Sequence, residues 1–133
     1  MIFVDTSVWS LFLRRDGERQ ELQVTRLKTA LETGESIFTT GIVLQEILQG
    51  VGNPRSTALI LEHFAAIPCI APQRADHVDA AALRNTCRRA GSQIGTIDAL
   101  IAQLCIRHGL MLLTTDQDFL RIKKISALQV WQP

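Results

Sequence analysis

The apolar run Ile2-Phe3-Val4 ends on Asp5, and the run Leu110-Met111-Leu112-Leu113 ends on Thr114-Thr115-Asp116. Runs this short, apolar at every position and not at alternate ones, suit strands covered on both faces, as in a parallel sheet. Between them the apolar residues change period. Trp9, Phe12 and Leu13 recur at helical spacing until Arg14-Arg15-Asp16-Gly17 breaks the pattern. A second helix is expected over Glu18 to Glu32, with Leu22, Leu27, Ala30 and Leu31 inward and Gly34 ending it. Ser36 to Thr39 can make a strand. Val43, Leu44, Ile47, Leu48 and Val51 then follow helical spacing from Thr40 or Gly41 to the stop at Gly52-Asn53-Pro54. Ser56 to Ala66 reads as helix, Ile67 to Ile70 as strand, and Arg74 to Ala90 as helix with Val78, Ala82 and Leu83 on one side. After the loop Gly91 to Gly95, Thr96 is expected to cap a helix carrying Ile97, Ile101, Leu104 and Cys105. A short helix near Phe119 to Lys123 and a strand over Leu128 to Trp131 complete the alternation. Strands alternating with helices specify a three-layer α/β/α fold around a parallel sheet of four to five strands, one domain over residues 1–133.

At 133 residues the chain is close to the commonest domain size, and it can bury roughly two-thirds of its unfolded surface without staples. A net charge of +1 is not that of a strongly basic nucleic-acid binder. Its cations are nevertheless 11 Arg against 3 Lys, and arginine favours bidentate phosphate contacts. Cys69, Cys87 and Cys105 are odd in number and lack C-x-x-C spacing, so they read as buried, reduced thiols, with neither a zinc site nor a disulfide framework. A basic segment leading a long apolar one is missing from the N-terminus, and no run of about 18 apolar residues occurs. Neither a secretory signal nor a membrane span is expected, and the cytoplasm is the expected location.

Four stretches bring a carboxylate to a place where a purely structural chain rarely puts one. They are Val4-Asp5-Thr6-Ser7, Leu44-Gln45-Glu46-Ile47, Gly95-Thr96-Ile97-Asp98 and Thr114-Thr115-Asp116-Gln117-Asp118. Ligands of open parallel sheets bind outside the carboxyl ends of the strands. Asp5 closes the first strand at that rim, and Asp116, a few residues past another strand, reaches the same rim. Asp98 falls in a first helical turn, where the macrodipole favours an acid. Glu46 has Ile42, Val43, Ile47 and Gly50 as helical neighbours, which places it on the face that meets the sheet. Taken singly, each acid has an ordinary use as a strand-end cap, an ion-pair partner, a first-turn acid or a turn residue. Taken together they repel: two carboxylates about 4 Å apart cost roughly 4 kcal/mol at an effective dielectric near 20. Such a cluster either protonates or captures a cation. Oxygen donors without His or Cys suit Mg2+ or Mn2+, and such a site is equipped for metal-assisted phosphodiester hydrolysis.

Four marks in this order, Asp5-Thr6-Ser7-Val8-Trp9, Glu46-Ile47-Leu48-Gln49-Gly50, Gly95-Thr96-Ile97-Asp98-Ala99-Leu100-Ile101-Ala102 and Leu112-Leu113-Thr114-Thr115-Asp116-Gln117-Asp118-Phe119, span nearly the whole chain. On them the chain resembles PIN-domain ribonucleases, and within these the toxins of VapBC-type toxin–antitoxin pairs. The resemblance implies an acidic Mg2+ site, with Mn2+ as the other choice, built from Asp5, Glu46, Asp98 and Asp116. Thr6 or Ser7 would offer a hydroxyl beside it. Asp118 fits the fourth position as well as Asp116 does; Asp116 is favoured as nearer the strand, with Asp118 kept as an outer ligand. A homodimer is implied too, with a cognate antitoxin whose tail covers the acidic pocket and an RNA substrate whose cutting stops translation.

Other families compete for the same residues. A haloacid-dehalogenase-like phosphatase also begins strand–Asp but wants a second acid two residues on, where Ser7 stands. A receiver-type signalling domain needs paired acids at the first strand end, and the adjacent pair is missing. A PIN-like nuclease of RNA processing without an antitoxin, and a non-catalytic RNA- or protein-binding module, remain as alternatives. A serine-hydrolase route fails for want of G-x-S-x-G, and His63, His77 and His108 fall on helical stretches. Trp9 and Phe12 read as core residues. With few aromatics to stack bases, RNA contact is assigned to arginine, with Arg84, Arg88 and Arg89 on one helix as the candidates and a solvated helix face as the bland reading.

Overall fold

Strand β1 (Ile2–Val4) is buried along its whole length in a computed structural model that describes residues 1–14 and 21–133. The chain continues through α1 (Thr6–Phe12), α2 (Leu22–Thr33), β2 (Ile37–Thr40), α3 (Gly41–Gln49), α4 (Pro54–Phe64) and β3 (Cys69–Ile70). It ends with α5 (Arg74–Arg89), α6 (Thr96–His108), β4 (Met111–Leu113), α7 (Asp118–Lys124) and β5 (Gln129–Val130). Among the described residues the five strands are all parallel, in the order β3-β2-β1-β4-β5, with Ile2 beside both Ile37 and Met111. Strands this short hold together because their side chains are covered above and below. Phe3, Val4, Leu112 and Leu113 are fully buried.

Right-handed crossovers on a sheet of this order put α1 to α4 on one face and α5 to α7 on the other. Helix contacts fall into the same two groups: α1 against α2 and α3, α3 against α4, then α5 against α6 and α6 against α7. This is the three-layer α/β/α arrangement. The winding reverses between β1 and β4, and an open α/β sheet leaves its crevice at such a reversal, beyond the carboxyl ends of the strands. Asp5 follows β1 and Thr114 follows β4 at that point.

Several local expectations need correction. In α2 the buried residues are Val24, Leu27 and Ala30, while Leu22 is 56% exposed and Leu31 44% exposed. Leu22 stands two residues, about 200° of helical rotation, from Val24. Leu31 instead faces an apolar cavity. The expected break over Arg14 to Gly17 and the expected helix start at Glu18 reach into residues 15–20, outside the described residues. In α5 the inward stripe is Asp76, Ala80 and Cys87 with Leu83 beside it, so Val78 (62% exposed) and Ala82 face out. An apolar count missed this stripe because a carboxylate lies on it. Thr96 is the first residue of α6, not its cap: Gly95 holds the cap position, and Ile97 is exposed. Cys69 is exposed, whereas Cys87 and Cys105 are buried. Gly34 does end α2, at φ +72°, a conformation that disfavours any side chain.

Two ion pairs hold the frame. Arg107 of α6 grips Asp76 of α5 with Nε on Oδ1 at 2.6 Å and Nη2 on Oδ2 at 2.8 Å. Asp76 is 1% exposed and its Oδ2 also accepts from the Gln73 N–H at 2.8 Å, so burial costs it no unmet hydrogen bond. The Arg107 bond, the largest influence, keeps the Asp76 carboxyl below the usual range. Arg26 similarly holds Glu35 with two bonds of 2.7 and 2.8 Å and lowers its pKa.

Candidate metal centre

Asp5 closes β1 and opens α1. Its backbone carbonyl accepts from the N–H groups of Val8 and Trp9 at 3.1 and 3.2 Å, while its side chain leaves the helix uncapped. The carboxylate turns to two hydroxyls instead. Oδ2 accepts from Ser7 Oγ at 2.9 Å and from Thr114 Oγ1 at 2.8 Å. Register makes the second contact inevitable, because Val4 pairs with Leu113 and the next residue of each strand emerges beside the other. Each hydroxyl is oriented from behind: the Thr115 N–H donates to Ser7 Oγ at 3.1 Å, and the Asp116 N–H to Thr114 Oγ1 at 3.0 Å. Asp5 is only 6% exposed, and these bonds give it the partners that a buried carboxylate requires.

Glu46, half-buried on α3, accepts from Thr6 Oγ1 at 3.0 Å through Oε1. The two hydroxyls expected beside the acids therefore serve different ones, Thr6 on Glu46 and Ser7 on Asp5. Asp98 is the third residue of α6, Asp116 lies in the loop after β4, and Asp118 begins α7. One carboxylate oxygen from each of these three lies within 4.8 Å of the others. Asp116 Oδ1 accepts from the Asp118 N–H at 2.9 Å, which folds the loop so that both acids face Asp98 together. The geometry groups Asp116 and Asp118 with Asp98 alike.

Asp98 records the crowding. Its pKa is pushed up to about 6, first by burial and then by the charges of Asp116, Asp5, Asp118 and Glu46. All five acids thus share one electrostatic neighbourhood. The only ion pair to any of them among the described residues is Arg121 on Asp118 Oδ1, at 2.8 Å and largely solvent-exposed. A half-buried cluster of carboxylates with so little countercharge fits a hard divalent cation held by oxygen. Cys105 does not compete as a ligand: burial, and secondarily the charge of Asp5, raise its thiol far above its ordinary pKa and keep it protonated.

Thr114 is the residue that sequence reasoning passed over. The available signal was its place directly after an apolar run that pairs with the run ending in Asp5. Of the arginines considered for RNA, Arg84 spends Nε on the Ile94 carbonyl at 2.7 Å, and Arg88 donates to Asn85 Oδ1 at 3.0 Å. Two cavities of the first helix layer differ in their relation to the acids. One of about 760 Å3 is walled by apolar groups including Trp9, Phe12, Ile37 and Phe64, and holds none of the acids. The other, about 620 Å3, has Glu46 in its wall. His63, His77 and His108 all lie on helices and outside the acidic cluster.

Comparison with known proteins agrees with this arrangement. Residues 2–125 match the PIN domain family. The chain is 33% identical over 131 residues to VapC ribonuclease Mb1587 of Mycobacterium bovis, covering 97% of this chain and 96% of the relative. Ribonuclease VapC11 of Mycobacterium tuberculosis matches with the same identity and coverage. Among solved structures, the fold is shared with a chain of VapBC2 from Rickettsia felis bound to a promoter DNA fragment (TM-score 0.75, 20% identity, 99% of this chain and 100% of that one). It is shared equally with a chain of DNA-bound VapBC from Salmonella typhimurium (TM-score 0.74, 19% identity, 98% of each chain). With five acids gathered at the switch point of a sheet wound β3-β2-β1-β4-β5, and relatives aligned from end to end, the chain belongs to the PIN domain family, among the VapC ribonucleases.

Proposed function

We propose that this chain is a divalent-cation-dependent endoribonuclease and the toxin of a toxin–antitoxin pair, acting on RNA in the cytoplasm and thereby blocking translation. The observation that carries the reading is the cluster of Asp98, Asp116 and Asp118, whose carboxylate oxygens lie within 4.8 Å of one another with one exposed arginine as countercharge. Asp98, Asp116 and Asp118 would hold Mg2+ or Mn2+, with Asp5 and Glu46 completing the negative field. When bound, the ion supplies positive charge against the phosphate oxygens and acidifies water for phosphodiester hydrolysis.

The remaining work belongs to the chain's own groups. Ser7 and Thr114 fix the Asp5 carboxylate, and Thr6 fixes one oxygen of Glu46, so the field is held in place before substrate arrives. Burial and the neighbouring acids favour the protonated form of Asp98 in the cation-free protein, and a bound cation would favour its ionised form. The VapC relatives and the VapBC complexes that share the fold support an antitoxin partner for this chain, and a homodimer is proposed on the family resemblance alone. The test is cleavage of total RNA by the purified protein in Mg2+ or Mn2+, beside Asp5→Asn. Cation-dependent cutting that falls by roughly 10³-fold or more in the variant supports the reading. Equal cutting in both proteins contradicts it.

A further inference from the structure

Glu46 stands between two environments. It contributes to the field that raises Asp98, and it also lines the cavity of about 620 Å3 bounded by α1, α3 and α4. That volume is within the range of ordinary ligand sites and has room for one nucleotide with its phosphate. The lining is mixed: Val51 and Leu59 are apolar, while Arg14, Asn53, Ser56 and His63 bring donors and acceptors. Asn53 is held in a defined pose. Its Oδ1 accepts from the Ser56 N–H at 2.8 Å and caps α4, which leaves Nδ2 to donate elsewhere. Arg14 and His63 make no ion pair among the described residues.

We propose that this cavity is the subsite for the nucleotide adjoining the scissile phosphate of a single-stranded RNA. Its phosphate lies against Arg14, its base against Val51 and Leu59, and the edge of the base toward Asn53 and His63. The proposal rests on the nuclease reading above. Proximity to the acids supports it, since a nucleotide seated here has its neighbouring phosphate within reach of Glu46's side of the cluster. The polar lining favours a nucleotide over an apolar peptide segment, for which the larger apolar cavity is the better fit.

The experiment compares Asn53→Asp and Arg14→Ala with Arg74→Ala, a control at the start of α5 in the opposite helix layer. Asn53→Asp preserves the helix cap, because aspartate caps as well as asparagine, so it tests the Nδ2 donor without unfolding α4. Affinity for a short mixed-sequence RNA is measured by fluorescence anisotropy without divalent cation, over a range of salt. Cleavage sites in total RNA are mapped by sequencing. Arg14→Ala is expected to lower affinity about tenfold and flatten its salt dependence by about one charge. Asn53→Asp is expected to shift the base preference beside the cut at least about fivefold. Arg74→Ala should do neither. If the unaltered protein cuts RNA while both cavity variants keep its affinity, salt slope and base preference, the subsite is wrong and the cavity is left to a peptide partner. If the unaltered protein cuts nothing, the nuclease reading fails separately. In that case no scissile phosphate exists for the cavity to adjoin and the subsite falls with that reading, and a cation-free loss confined to the cavity variants would mark RNA binding alone.

Discussion

Asp76 and Asp98 hold the same position in successive helices, the third residue of α5 and of α6, with Asp76 buried and Asp98 half-buried. Their surroundings could hardly differ more. Arg107 meets Asp76 with two short bonds and pulls its pKa down, whereas burial and four acids push Asp98 up to about 6. A helix N-terminus favours both charges to a similar, small extent, about 0.3–1 kcal/mol. It cannot account for opposite shifts. What lies opposite each acid decides: a built-in cation for Asp76, which makes it a clasp between helices, and other anions for Asp98, which make it a place for a cation from outside.

One substitution made at both positions gives the largest contrast. Asp76→Asn should cost roughly 3 kcal/mol of stability, because it strands Arg107 beside a half-emptied partner, and should lower the melting temperature by roughly 10 °C. Asp98→Asn should cost nothing in the cation-free protein, or raise stability slightly, while removing RNA cleavage. Thermal melts with chelator present read the first, and cleavage assays the second. Similar destabilisation by both would break the comparison.

A smaller effect is expected at Thr114→Val, which deletes the donor to Asp5 Oδ2 and the acceptor of the Asp116 N–H. It should lose about 1–2 kcal/mol of stability. RNA cleavage should fall roughly tenfold, equivalent to about 1.4 kcal/mol. Unchanged cleavage in a correctly folded Thr114→Val protein would show that Asp5 needs no such positioning.

The pH dependence of stability sharpens the same contrast most finely. A raised folded-state pKa stabilises below the unfolded value and ceases to do so as pH rises through the folded one. Asp98 should therefore drain roughly 1 kcal/mol from the cation-free protein between about pH 4 and 6, once solvent screening is allowed for. Asp76 and Glu35, with lowered values, act the other way and lose their contribution as pH falls below about 4. Denaturant melts across this range should show the upper slope vanish in Asp98→Asn and the lower one weaken in Asp76→Asn.

The sheet was legible because its strands are apolar at every position, and a run such as Leu110 to Leu113 between polar turns allows few other readings. Helices were legible as elements and less so in phase. The inward stripe of α5 contains Asp76, and a rule that counts apolar residues turns such a helix to the wrong face, as Val78 shows. Asp5 and Asp116 stood out because they follow apolar runs, Glu46 because it sits inside an apolar helical pattern, and Asp98 because it lies at a helix start. Thr114 did not, since a threonine after a strand is unremarkable until register places it beside Asp5. Asp118 joined the group through a turn whose closing bond to Asp116 depends on backbone geometry that spacing alone leaves open. Asp76 and Asp98 look alike in sequence, both acids in a first turn. Only the fold reveals that Arg107, 31 residues on, faces one of them.

The most direct measurement is calorimetric titration of Mn2+ into the chelator-stripped protein and into Asp98→Asn at pH 7. Saturable binding in the unaltered protein, weakened at least about tenfold by the substitution, is the predicted result, a difference of about 1.4 kcal/mol or more. Equal affinity in the two proteins, or no binding in either, would mean that the acids around Asp98 are not a cation site.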